Sequence, residues 1–303
     1  MKLTNNQILF TELIIKLTEE LYNNAEISMK DSYREIKKSR DELLNDISNI
    51  LLSYNIADSA MSLSVGDRDK LYKDLSAKID KLFSDEGKNE VKLIQQILIT
   101  AIKDKNGINS YVMALGLDFK HTKISNKDLD KIINKLVYGK NYSSRIWDNK
   151  EAVAKVIKSD VKKFLNGEID VNSIAKKIKD RFNTNAYNSK RLVVTETARV
   201  MEESNTLWAE QHNIEYVMYC STLDNKTCND CSAYDGNVYK VDSKPFTLPK
   251  HPNCRCTYIA LPNKEFRALE FSDIFEYVIC NIFLAASKSS CDNGSLAILS
   301  ISW

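Results

Sequence analysis

Five residues in this chain have the types and spacing to hold a metal ion: Cys228, Cys231, His251, Cys254 and Cys256. Cys228-Asn-Asp-Cys231 is a C-x-x-C turn. Cys254-Arg-Cys256 follows after twenty-two intervening residues, with His251 three positions before Cys254. Zn2+ takes four thiolate or imidazole donors in a tetrahedron, commonly as two close pairs from separate turns. A C-x-x-C turn aims two sulfurs at one point. If the backbone is extended at 254–256, Cys254 and Cys256 leave the same face and Arg255 the other. If it is still turning, His251 and Cys254 make the second pair. Five donors compete for four seats, and the favoured set is the four thiolates, with His251 as a substitute ligand or an outer hydrogen-bond donor. The ion expected is a structural Zn2+.

Other chemistries fit these residues less well. A redox C-x-x-C expects a strand-to-helix setting and no second pair. A zinc deaminase needs H-x-E ahead of its cysteines, whereas the residue two after His212 is Ile214. His251 as general base of a metal nuclease is the remaining catalytic reading. His121 and His212 read as surface or core residues, and Cys220, Cys280 and Cys291 as plain thiols. Asp224 and Asp235-Gly236 have turn-forming roles available, since aspartate accepts local backbone N–H bonds and glycine takes positive φ.

The chain around this cluster changes character near residue 214. No proline precedes Pro245, and all four prolines, Pro245, Pro249, Pro252 and Pro262, fall after the first cysteine pair. Upstream, apolar residues recur at helical spacing: Leu9, Leu13, Leu17 and Leu21; Leu71, Leu75, Ile79 and Leu82; Leu129, Ile132, Ile133 and Leu136. Further helices are expected at 149–165, 172–182 and 188–212. Gly66, Gly87, Gly107, Gly116, Gly139 and Gly167 are expected near helix ends. The stripes read as core packing, although Ile27 to Leu52 is long enough to be an exposed arm that docks on a partner. IEYVMYCST then reads as a strand, Val238 to Val241 as a second and CTYIAL as a third. The fold class is mainly α, a long helical N-terminal region followed by a small α+β zinc-knuckle module. That module is too poor in apolar residues to stand on core burial alone.

Net charge is +2, too small to argue for nucleic acid or an anionic surface. No secretory signal opens the chain, and the apolar run Ile274 to Ala286 is too short to span a bilayer. With no cysteine before Cys220, the cysteines are expected to meet a metal in a reducing cytoplasm rather than to form disulfides.

The run STLDNKTCNDCSAYDGNVY, followed by PFTLPKHPNCRC and TYIAL, resembles the C-terminal domain of the phage Mu F-like head morphogenesis proteins. The upstream helix RLVVTETARVMEESNTLWAE is also similar, its Thr195, Glu196 and Arg199 matching a recurrent T-E-x-x-R pattern. The resemblance covers residues 188 to 262. With the upstream periodicity it divides the chain into three segments: a helical domain at 1–187, the Mu F-like domain with its Cys/His metal site at 188–262, and a tail at 263–303 that departs from the family's pattern. It implies a minor capsid protein of a tailed phage or prophage, located inside the virion head and, during assembly, in the host cytoplasm. Its expected partners are the portal protein and capsid or scaffold proteins, with DNA as a further, non-specific partner and no membrane. No catalytic residues carry over.

The rival is an enzyme, a metal-dependent nuclease or a toxin-type effector carried in the head. No paired carboxylate, nucleophile triad or phosphate-binding glycine loop stands out in the helical part to support it. For DNA, residues 155–191 contain ten Lys/Arg against four Asp/Glu. Lys155, Lys158 and Lys162 share a helix face, which Lys176, Lys179 and Lys190 would extend. The alternative for those lysines is a solvated helix surface.

Overall fold

The computed structural model describes residues 5–116, 122–221 and 227–261. Helix α1 (Asn5–Ser28) bends at the buried Met29 into α2 (Lys30–Ser53). A tight hairpin, β1 (Ile56–Ala57) with β2 (Ala60–Met61), leads into α3 (Val65–Gly116). Then come α4 (Asn126–Ile133), α5 (Tyr142–Leu165) and α6 (Val171–Gln211). Strand β3 (Tyr216–Cys220), the single turn α7 (Asn229–Ser232), β4 (Val238–Lys240) and β5 (Thr257–Leu261) complete the chain. No helix of the described residues is long and apolar enough to cross a membrane.

The helical periodicity is real, but the helices are longer than expected. α3 has 52 residues and runs straight through Gly87 and Gly107, where ends were expected. An interior glycine costs a helix about 1 kcal/mol, which tertiary packing readily outweighs. Gly87 is there for space: a Cβ at that position would lie 2.4 Å from the Trp147 ring on α5. Gly139 and Gly167 do mark turns, at φ of 75° and 76°. α6 likewise continues through 183–187, where a gap was expected, because Asn185 is a buried partner of Glu86 and Lys150 rather than part of a loop. On α1 the buried line is Phe10, Ile14, Thr18 and Tyr22, one residue on from the leucine stripe, with Leu13 and Leu17 at its flank. α2 is no free arm. Its Ile36, Leu43, Ile47 and Ile50 are buried against α3, α5 and α6.

The bundle has two apolar cores. One joins α1, the second half of α3, α4, the start of α5 and the second half of α6. The other joins α2, the first half of α3, most of α5 and the start of α6. A sealed polar knot lies on the middles of α3, α5 and α6. Lys150 Nζ is 2.7 Å from Glu90, 3.1 Å from Glu86 and 3.1 Å from Asn185 Oδ1, and Asn185 donates to Glu86 at 2.9 Å.

The three-stranded antiparallel sheet has order β4-β3-β5, with Met218 opposite Ile259 and Tyr219 opposite Tyr258. Alternation sends Met218, Cys220, Ile259 and Leu261 into the first helical core. Val217, Tyr219 and Tyr258 go to the opposite face, with Cys231, Cys254 and Cys256. The outer edge of β5 is covered by α6: Asn205 donates to the Tyr258 carbonyl at 2.9 Å, and the Tyr258 N–H donates to Glu202 at 3.3 Å. The sheet is therefore held by the bundle on one face and by the cysteine cluster on the other.

Candidate metal centre

Two turns deliver the five donors. Cys228 has extended backbone and begins α7, its carbonyl accepting the N–H groups of Cys231 and Ser232, which brings Cys231 around beneath it. The second turn is closed by the Cys254 N–H on the His251 carbonyl at 3.1 Å and passes through Asn253 at φ of 62°. Both readings of 251–256 thus apply in succession: the chain turns from His251 to Cys254, then enters β5 immediately after Cys256.

The donors form two overlapping groups. Atoms of Cys228, Cys231 and His251 lie within 4.8 Å of one another, as do the sulfurs of Cys231, Cys254 and Cys256. Cys231 belongs to both. His251 Nε2 is 3.2 Å from Cys228 Sγ and 3.3 Å from Cys231 Sγ. Donor–donor edges of a tetrahedral zinc site are roughly 3.5–3.8 Å, from Zn–S and Zn–N bonds of about 2.3 and 2.0 Å. Nδ1 is 2.9 Å from the Pro252 carbonyl, so it carries the proton and leaves the Nε2 lone pair aimed at the sulfurs. His251 therefore faces the sulfurs of Cys228 and Cys231 directly. None of the five described cysteines is in a disulfide; Cys231, Cys254 and Cys256 are buried and Cys228 is half-buried.

Without an ion the cluster shares its protons unevenly. A hydrogen bond from the Cys256 thiol, against the opposing effect of burial, brings the Cys254 pKa down to about 5, helped by backbone N–H groups and His251. Cys256 is raised, first because it donates to Cys254 and then by burial. For His251, burial works against the charged ring, but the Pro252 carbonyl and the Cys254 and Cys228 sulfurs outweigh it and raise the pKa. The Tyr219 hydroxyl is buried without a hydrogen-bond partner of normal geometry and faces Cys231 and Cys256. A metal that kept those sulfurs as thiolates would give this hydroxyl its acceptor. The residues fit a soft or borderline divalent ion.

The T-E-x-x-R motif braces the centre. Thr195 Oγ1 donates to the Arg191 carbonyl and accepts the Asn253 N–H at 3.0 Å, pinning the second turn to α6. Arg199 is buried, pairs with Glu196 at 2.7 Å and donates to the Ile132 carbonyl at 2.8 Å, fastening the end of α4. Two contacts escaped sequence reasoning. Arg255 stacks 4.8 Å over the ring of Tyr22 and donates to Asn23 Oδ1 at 3.2 Å, tying the second cysteine pair to α1. Nothing local in the sequence links positions more than two hundred residues apart.

Asp235-Gly236 is the turn expected of it: Gly236 sits at φ of 74°, and Asp235 accepts the Ser221 N–H at 2.7 Å. His212 packs on Trp208 and bonds its carbonyl and Thr122, away from the cluster. Cys220 is buried on the bundle face of β3. Asp224, His121, Cys280, Cys291 and the segment 263–303 lie outside the described residues. A carboxylate pair does occur in the helical part, Glu86 with Glu90, though none stood out in the sequence. Their side chains are 2% and 1% exposed and face Lys150.

The lysines do not share one setting. Lys155, Lys176 and Lys179 are exposed. Lys158 pairs with Asp80 of α3 at 2.7 Å, and Lys162 lies over Tyr72 of the same helix. Lys190 instead pairs with Glu26 of α1 at 2.9 Å.

A helical body carrying a sheet clasped by clustered cysteines and a histidine is the class that fold and site define. Residues 155–259, from the middle of α5 into β5, match the family described as Phage Mu protein F like protein. That is about a third of the chain, and it contains every donor of the cluster. The match begins well upstream of residue 188, so it takes in much of α5 and all of α6. No curated protein and no solved structure matches the chain.

Proposed function

We propose that this chain is a head morphogenesis protein, a minor capsid component of a tailed phage or prophage, in which one structural Zn2+ locks the 228–256 loops onto the sheet. The observation that carries the reading is the coincidence of the family match with the complete donor cluster in residues 155–259. Zinc is preferred over harder cations because the donors are sulfur and imidazole. Its contribution would be cohesion of the loops, with Cys228, Cys231, His251 and Cys254 or Cys256 as ligands. The helical body would serve as the assembly surface, with α5 running without a break into the matched segment and transmitting its position.

The expected partners are the portal protein and the capsid or scaffold proteins. Non-specific DNA contact would fall to Lys155, Lys176 and Lys179, because Lys158 and Lys162 are already engaged by α3. The nuclease reading gains nothing from the geometry. Both ring nitrogens of His251 are committed, to the sulfurs and to Pro252, and Glu86 and Glu90 are closed to a substrate. Co-expression with a candidate portal protein tests the proposal. The pair should co-purify at physiological salt, and the protein should leave plasmid DNA uncut in Mg2+, Mn2+ or Zn2+. Cleavage that disappears in His251→Ala would overturn the structural reading.

A further inference from the structure

Five non-glycine residues among those described have positive φ: Asp58, Ser59, Tyr138, Asn213 and Asn253. Four carry small polar side chains, which tolerate the left-handed region by local hydrogen bonding. Tyr138 does not. At φ of 50°, followed by Gly139 at 75°, it occupies the first central position of a tight turn closed by reciprocal Val137 and Lys140 backbone bonds at 3.0 and 3.2 Å. Such turns favour Asn-Gly at these positions. The fold obtains nothing from the ring in return, because Tyr138 is 98% exposed. Leu136, two residues earlier, is 62% exposed.

The rest of the hairpin is built to be rigid and uncharged. Arg145 donates to the Val137 carbonyl at its base, and Asn141 caps the following helix. Lys135 pairs with Glu203 and Lys140 with Asp148, so both lysines flanking the tip are neutralised within the molecule. A strained, fully exposed aromatic on a fixed tip is the form of an interface anchor: large contact area, two rotatable bonds and little order left to lose on binding. We propose that the Leu136–Tyr138 tip inserts into a concave apolar pocket on a different protein, one with an acceptor at its base for the phenol O–H. Two grooves among the described residues, along α2 and between α2 and α3, carry charged side chains such as Arg34, Lys37, Asp41, Lys81 and Asp85, which suit a polar occupant better than an aromatic tip. An adduct between two copies of this chain at position 138 would overturn the assignment to a different protein.

The proposal leans on the head-protein reading only for the expected identity of that partner. A photo-crosslinking phenylalanine analogue placed at Tyr138, and for comparison at Leu52, which is also exposed, is expressed in the native producing cell. Position 138 should give one adduct, identified by mass spectrometry, that position 52 does not. A portal, capsid or scaffold protein in that adduct supports both readings. A protein foreign to the head supports the tip and overturns the head-protein reading. No adduct at 138 above that at 52 overturns the tip. With the identified partner purified, Tyr138→Asn should weaken binding by roughly 5- to 30-fold. The same change should raise Tm by about 1–4 °C, since Asn relieves the backbone strain. Unchanged affinity in a folded Tyr138→Asn protein also overturns the proposal.

Discussion

Arg255→Ala separates the metal loop from the first helix and leaves every donor in place. Arg255 stands between Cys254 and Cys256, stacks on the buried ring of Tyr22 and donates to Asn23. A partly desolvated cation–π contact contributes about 1–2 kcal/mol. A hydrogen bond to a neutral amide adds about 1 kcal/mol. The total of about 2–3 kcal/mol corresponds to a roughly 30- to 150-fold change in a local opening equilibrium. It should appear as that loss of amide-exchange protection over the second half of α1, around Leu17 to Ala25. Amides of Leu43 to Ile50 on α2, which belong to the other core, should keep their protection. Removing the metal with a chelator should reproduce the α1 effect in the wild type and add little in Arg255→Ala. Unchanged α1 exchange in the variant would refute the coupling, and a uniform loss in both helices would reduce it to general destabilisation.

The glycines of α3 make a paired prediction. Gly107→Ala meets nothing within 4 Å and should stabilise the protein by about 0.5–1 kcal/mol in urea unfolding. Gly87→Ala gains the same helix propensity but drives a Cβ into the Trp147 ring, an overpacking cost of about 1–3 kcal/mol. It should lie below Gly107→Ala and shift the fluorescence of Trp147. Equal stabilisation by both substitutions would contradict the packing of that ring.

Much of this was readable in the chain, and the failures have physical causes. The clustering of the five candidate donors, the three strands and the helical body follow from local signals: paired cysteine spacing, β-branched and aromatic runs, and a 3.6-residue period. Helix boundaries were misplaced where local chemistry was overridden from a distance. Gly87 reads as a breaker until Trp147 is seen above it. Asn183 to Tyr187 reads as a gap until Asn185 is seen bonded to Glu86 and Lys150. The same knot hid the Glu86–Glu90 pair, which only the approach of α5 explains. Spacing cannot say which way an imidazole points, and the Pro252 carbonyl sets the His251 ring here. The sheet's reliance on the bundle was likewise invisible, since a strand buried on both faces looks locally like any apolar run.

The central claim is a zinc ion held through Cys231, the donor common to both groups. Apparent binding free energies of structural zinc are about 10–16 kcal/mol, so purification under reducing conditions should retain the ion. Native mass spectrometry with elemental analysis of wild type and Cys231→Ser decides the matter. The account predicts one zinc per wild-type chain and none in the variant, with the helical body still folded. A wild-type protein that is free of metal when reduced and that takes up no added zinc would contradict it. So would full zinc occupancy in Cys231→Ser.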